Sequence, residues 1–274
     1  MATAMKKIET PLMGKTPQAA VLVAIDDGHG TETAGKRSPA FSDGSVLKEN
    51  EFNSKTADYL KEALERCGFD VLMVAPEETD TDLPTRVQRA NKAKADCYIS
   101  IHANAYGANW NTANGVETLI YEGIKNQSQT YRFAESIHEA LISGTGRKDR
   151  GIKRSADLYV LKATTMHAVI VECGFMTNRE ECELLKLDSY RRKCAESICK
   201  GVCAFYKAQY KQPEKMPEER FNNLKEIPSW GQPLIAEMVM YKCFGNEHRM
   251  DLSEDMLRTM ELMDRLWKAR EARK

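Results

Sequence analysis

Short unbroken apolar runs alternate along the chain with longer stretches in which apolar residues recur every three or four positions. The first run, Ala20–Ile25, is too brief for a helix and predicts a buried strand. It ends in Asp26-Asp27-Gly28-His29-Gly30, where the glycines flanking His29 predict a sharp turn. After an irregular loop, Phe52, Thr56, Leu60, Ala63, Leu64 and Cys67 keep helical spacing, and Gly68 closes that helix. Phe69–Val74 predicts the next strand, and a helix follows from about Pro84 with Val87, Ala90 and Ala93 on one face. Asp96–Ile101 predicts a strand that runs into His102-Ala103-Asn104. Further strands are predicted at Val116–Tyr121 and Ala168–Val171, and further helices from Thr130 to about Ser143 and from Tyr190 to about Tyr210. This alternation predicts an α/β fold with a mostly parallel twisted sheet flanked by helices on both faces.

The rhythm changes past residue 211. Residues 1–19 read as an N-terminal extension, 20–211 as the main domain, 212–219 as a polar linker broken by Pro213 and Pro217, and 220–274 as a small helical unit. In that unit Pro233 stands near a helix start, Leu234, Ile235, Met238 and Val239 share a face, and Gly245 follows the end. Ser253 is the predicted cap of a second helix, with Leu252 and Leu257 as its staple and Met256, Met260, Met263 and Trp267 continuing the apolar face. Two such helices cannot bury both faces alone, so the unit is expected to dock on the main domain or on a partner.

Composition narrows the classes. Apolar residues make up 42% of the 274 positions, enough to fill a core, and 40 basic residues balance 40 acidic ones, which leaves no electrostatic footprint for nucleic acid. No stretch approaches the roughly 18 apolar residues of a membrane span. Met1–Gln18 lacks the apolar centre of a signal peptide, so no export signal is visible. The eight cysteines include no CxxC pair, and Cys67, Cys97, Cys194 and Cys203 fall on expected core faces. That pattern predicts reduced, buried thiols in preference to a disulfide framework or a thiolate zinc site. No feature fixes an oligomeric state.

The chemistry gathers at strand ends. His29 and His102, two of the five histidines, both stand where an open α/β sheet places its ligand site. A turn histidine alone suits a metal ligand or a backbone-bonding residue equally, and the second imidazole at an equivalent position favours the ligand. Glu49 and Glu51, in or just before a helix's first turn, either complement the helix dipole or supply the carboxylate of a His₂Glu metal set. Glu172 leaves the hydrophobic run Ala168–Val171, and an ionised carboxylate there needs a cation or a proton. His138 is predicted to be solvated or packed and no ligand, and His167 to be a surface residue at the start of the last strand. Arg150, Lys153 and Arg154 occupy a predicted loop before Leu158, either solvated or placed to meet an acidic peptide.

Four motifs in order, Ile25-Asp26-Asp27-Gly28-His29-Gly30, Lys48-Glu49-Asn50-Glu51-Phe52-Asn53, Ser100-Ile101-His102-Ala103-Asn104 and Val171-Glu172-Cys173-Gly174-Phe175-Met176-Thr177-Asn178, resemble the zinc-dependent N-acetylmuramoyl-L-alanine amidases of the type 3 class. The resemblance covers about residues 20–210. It implies one zinc ion per chain held by His29, Glu49 and His102, with Glu172 as the catalytic carboxylate. It favours Glu49 over Glu51 because Glu49 follows Lys48. Asn104 and Arg154 are the candidate substrate contacts. The implied substrate is peptidoglycan, cut at the amide between the lactyl group of N-acetylmuramic acid and L-alanine, with action at the cell wall, in the periplasm or outside the cell. A phage-type lysin released from the cytoplasm would need no export signal. Asp27 and His167 depart from the family, which usually has Pro or Ala at the first position and Pro at the second. A zinc peptidase on stem peptides and a non-catalytic wall-binding relative are the alternatives, the latter favoured if His167 or Glu51 closed the metal site. The stretches Arg220–Trp230 and Asp251–Met256 are similar to helical appendages of lytic enzymes, which implies wall targeting or docking.

Overall fold

The computed structural model describes residues 20–213 together with Arg220, Phe221, Ile235, Leu252, Ser253, Met256 and Met260. The chain divides into two compact units, with the boundary between Gln212 and Pro213.

In the first unit, β1 (Leu22–Asp26), α1 (Glu49–Arg66), β2 (Asp70–Met73), α2 (Leu83–Ala93) and β3 (Cys97–Asn104) form the predicted alternation. They are followed by β4 (Val116–Tyr121), α3 (Gln129–Thr145), β5 (Asp149–Ser155), α4 (Tyr159–Ala163), β6 (His167–Phe175), α5 (Arg179–Lys186) and α6 (Asp188–Tyr206). The six strands lie in the order β2-β1-β3-β6-β4-β5. β2, β1, β3 and β6 run parallel, while β4 is antiparallel to β6 and parallel to β5, so the sheet is mixed but mostly parallel.

Strand side chains alternate between faces, and this sorts the core into two layers. Val23, Ile25, Ile99, Ile101, Val169 and Val171 join the cluster that holds the apolar faces of α1, α3 and α6. Ala24, Tyr98, Ala168 and Ile170 join the opposite cluster with Val87 and Ala90 of α2 and Val160 and Leu161 of α4. Strands covered on both sides read as continuous apolar runs, which is why β1, β3 and β6 are visible in the sequence. Local caps fix the helix starts: Asp82 Oδ1 accepts from Thr85 N at 2.8 Å, and Asn178 Oδ1 from Glu181 N at 3.1 Å.

Two expectations need correction here. Arg150, Lys153 and Arg154 lie in a strand, β5, and not in a loop. β5 is one of the two edge strands of the sheet, where charged side chains discourage pairing with another chain and hide the usual apolar signal. In the second unit, Arg220–Phe221 (β7) pairs antiparallel with Leu252–Ser253 (β8), so the unit is not wholly helical. Ile235, Met256 and Met260 are helical as expected, and Ile235 is fully buried. The rest of the predicted C-terminal helices, the linker residues 214–219 and the extension 1–19 lie outside the described residues. Among the described residues no helix is long and apolar enough to cross a membrane. Cys67, Cys97, Cys194 and Cys203 are buried, as expected of core faces, and none is in a disulfide.

Candidate active site

The carboxyl end of β1 turns through Gly28, at φ +38°, and His29, at φ +64°. A Cβ on Gly28 would stand 2.5 Å from the His102 ring, so only glycine lets the turn pass that imidazole. The first turns of α1 hold the loop in place: Asn50 Nδ2 donates to His29 O at 3.1 Å and Asn53 Nδ2 to Gly28 O at 3.0 Å. Glu49, the first residue of the helix, is thereby brought against both imidazoles.

His102 Nδ1 lies 2.8 Å from Glu49 Oε1, and His29 Nε2 lies 3.4 Å from Glu49 Oε2. The two rings meet edge to face with centroids 5.0 Å apart. One ligand atom from each of the three residues falls within 4.8 Å of the others. His29 Nε2 is buried and makes no hydrogen bond, a cost that a cation at this point removes. Two imidazole nitrogens and a carboxylate oxygen form a donor set that fits a first-row divalent metal.

Without a cation the three groups balance one another, and a metal would take the place of the His102 proton. Burial works against a charged ring at His102, but the hydrogen bond and charge of Glu49 outweigh it and hold the group up to about 9. His29, pushed down chiefly by burial, falls to about 4 and is neutral, the form that binds metals. Glu49 loses stability as an anion through burial, yet the His102 hydrogen bond and the adjacent imidazoles draw it down to about 2. Lys36 Nζ, 3.8 Å from Glu49 Oε2, adds a positive charge at the rim.

A second layer orients His102. Tyr98, Ser100 and His102 share one face of β3 by the period of two, and Asp26 ends β1 beside them. Ser100 Oγ and Tyr98 Oη each donate to Asp26 Oδ2 at 2.7 Å. Asp26 Oδ1 is paired with Arg86, a guanidinium only 1% exposed that also reaches Asp80 at 3.0 Å. Burial opposes the Asp26 anion, and Arg86 leads the groups that lower its pKa nonetheless. These residues were not among the sequence candidates. The available signal was Arg86 standing beside Val87, and four positions before Ala90, on the apolar face of α2.

Glu172 is the register partner of His102 across β3 and β6. Its Oε2 is buried without a hydrogen-bond partner, and burial leads the causes that push its carboxyl up to about 8. On the other side it faces Glu117 of β4, whose oxygens accept from Asn104 Nδ2 and Arg150 Nε, each at 2.8 Å. His29, Glu49, His102, Asn104 and Glu172 line one cavity of about 780 Å³. Leu83 and Tyr159, which are 49% and 41% exposed, line the same cavity.

The remaining sequence candidates lie elsewhere. Arg154 does not line this cavity: its guanidinium is taken up by the carbonyls of Glu122 and Ile124 and by Asn126 Oδ1, because β5 carries it along the outer edge of the sheet. The structure therefore does not bring Arg154 to the site. Glu51 is exposed on the first turn of α1. His167 sits at the amino end of β6, with Nδ1 2.9 Å from Thr130 Oγ1 and its ring against Phe133 and Phe205, so it is half-buried. Neither Glu51 nor His167 lies with the three clustered ligands. His138 is a packing residue, buried between Thr118 Oγ1 at 3.1 Å and Asp149 Oδ1 at 2.9 Å.

Comparison with known proteins agrees with this geometry. LytC of Bacillus subtilis (strain 168), an N-acetylmuramoyl-L-alanine amidase, is 32% identical over 201 residues, which are 73% of this chain and 37% of LytC, so the chain spans little more than a third of that relative. The endolysin of Bacillus phage SPP1 is 33% identical over 226 residues, 81% of this chain and 76% of the endolysin. The solved catalytic domain of CwlV, an N-acetylmuramoyl-L-alanine amidase from Bacillus (Paenibacillus) polymyxa var. colistinus, superposes with a TM-score of 0.61 at 28% identity, covering 69% of this chain and 99% of that domain. The family model described as "Amidase_3: N-acetylmuramoyl-L-alanine amidase" matches residues 23–204, which include His29, Glu49, His102 and Glu172, and the chain belongs to this family.

Proposed function

We propose that the protein is a zinc-dependent N-acetylmuramoyl-L-alanine amidase that hydrolyses the amide between the lactyl group of N-acetylmuramic acid and L-alanine in peptidoglycan. The observation that carries this reading is Glu172, a carboxylate with a buried unpartnered oxygen in the same open cavity as the His29, Glu49 and His102 donors. Zinc held by those three residues supplies Lewis acidity at neutral pH.

The chain's own groups account for the rest of the chemistry. Glu172 accepts the proton of the attacking water and returns it to the departing nitrogen. Burial, with Glu49 and Glu117, lifts its carboxyl to about 8 against the His102 charge, and a bound cation would favour the ionised form, which suits the group to both transfers near neutrality. Asn104 is placed to contact substrate, held by Glu117, which Arg150 in turn anchors. Leu83 and Tyr159 offer the glycopeptide an apolar wall. The family's usual site of action supports activity at the cell wall, and the endolysin relative makes a lytic role the natural one. In this reading residues 20–211 carry the catalysis, and residues 220–274 serve as a wall-targeting or docking unit.

Digestion of purified peptidoglycan tests the assignment. Mass analysis is expected to find intact stem peptides with a free amino group on L-alanine, and fragments cut within the stem would instead identify a peptidase. Glu172→Gln is expected to lose about 10²–10⁴-fold in turnover while retaining its zinc. Full turnover in that variant would overturn the role of Glu172.

A further inference from the structure

Away from the cavity, three thiols converge where α1, α6 and the last residues of the first unit meet. Cys67 caps the carboxyl end of α1, and Cys199 and Cys203 stand one turn apart on α6, so they share a face. One sulfur from each lies within 4.8 Å of the other two, and all three residues are buried. Cys67 Sγ and Cys199 Sγ are 3.7 Å apart. Bonded disulfide sulfurs stand about 2.05 Å apart. Thiolates about 2.3 Å from one shared ion stand roughly 3.7–4.0 Å apart at tetrahedral to trigonal angles. The observed pair therefore already has the separation that a common cation requires.

Backbone groups at the end of the first unit hold the cluster in place. Lys211 N donates to Cys67 Sγ at 3.3 Å, and Arg66 Nε donates to Lys211 O at 3.0 Å, so the cluster lies where the chain leaves the first unit.

We propose that Cys67, Cys199 and Cys203 form a second metal site, separate from the His29–Glu49–His102 set, that takes a soft thiophilic cation of the zinc(II) and copper(I) class. Three thiolates suit such ions, which prefer sulfur to oxygen. The bound ion ties the end of α1 to α6 and to the chain leaving the domain, and acts as a staple. No CxxC spacing announces the site, because its ligands come from two helices.

Titration of the reduced, metal-free full chain with cadmium(II) tests this. A thiolate-to-metal charge-transfer absorption saturating at one equivalent is expected, and the His29–Glu49–His102 set, which has no sulfur, cannot produce it. Cys199→Ser is expected to abolish the band, and Cys182→Ala, at a buried cysteine outside the cluster, to retain it. If Cys199→Ser does not fold, X-ray absorption on cadmium-loaded Glu49→Ala, in which the other set lacks a ligand, decides: three sulfur neighbours support the site and fewer overturn it. Absence of the band in reduced wild type, or its survival in a folded Cys199→Ser, also overturns it. So does a Cys67–Cys199 disulfide in the isolated protein with no band after reduction.

Discussion

Asp26 reaches His102 through a single hydroxyl: Ser100 Oγ donates to Asp26 Oδ2 at 2.7 Å and lies 3.0 Å from His102 Nε2. A serine hydroxyl has one proton, and here it goes to Asp26. Its lone pair is left to receive Nε2–H, so Nδ1 is the nitrogen turned toward Glu49, and loss of the Nδ1 proton to an incoming cation leaves the Nε2–H tautomer in place.

Ser100→Ala should therefore weaken metal binding without touching a ligand. Loss of a ligand-orienting partner commonly costs about 10–100-fold in metal affinity. Competition against a chelator on the wild type and the variant measures it directly, apart from any effect on turnover. Unchanged affinity would mean that Glu49 alone orients the ring.

Arg86→Met should be strongly destabilising, because it leaves the Asp26 carboxylate, only 2% exposed, without its counter-charge. Breaking a buried ion pair from one side costs about 3–5 kcal/mol. Adding Asp26→Asn removes the stranded charge and should recover part of the loss. Thermal unfolding followed by circular dichroism compares the single and double variants, and a double variant no more stable than Arg86→Met would refute the pairing argument.

Substrate affinity should separate Asn104 from Arg154. Asn104 lines the cavity, so its loss should raise KM about fivefold, the worth of one hydrogen bond of roughly 1 kcal/mol. Arg154 is occupied by the carbonyls of Glu122 and Ile124, so Arg154→Ala should leave KM unchanged. Steady-state kinetics on soluble peptidoglycan fragments checks both, and the reverse order of effects would restore Arg154 as a substrate contact.

The parts of this molecule that could be read in advance are those with a purely local cause. β1, β3 and β6 are apolar on both faces because helices cover both, and each ends in a polar group that has no place in a core. Family motifs then singled out His29, Glu49, His102 and Glu172, and the fold gathers all four in one cavity. What escaped depends on register and edges. β5 lacks alternation because it has one neighbour, and Arg154 moved from a supposed loop to that edge strand. The Asp26–Ser100–His102 chain exists only because β1 and β3 pair with Asp26 opposite Ser100, and no local pattern specifies a cross-strand partner. The thiol cluster likewise needs α1 and α6 side by side.

Register also explains the contrast between the two acids that open α1. Glu49 is buried against His29 and His102, whereas Glu51, two positions on, points to solvent. Glu49→Ala should remove one of three ligands and release most of the metal on dialysis, read by elemental analysis of the protein. Glu51→Ala should keep its metal and lose only the helix-dipole contribution, about 0.3–1 kcal/mol of stability. Metal loss in Glu51→Ala with retention in Glu49→Ala would place the carboxylate ligand on the wrong residue and, with it, the orientation of the first turn of α1.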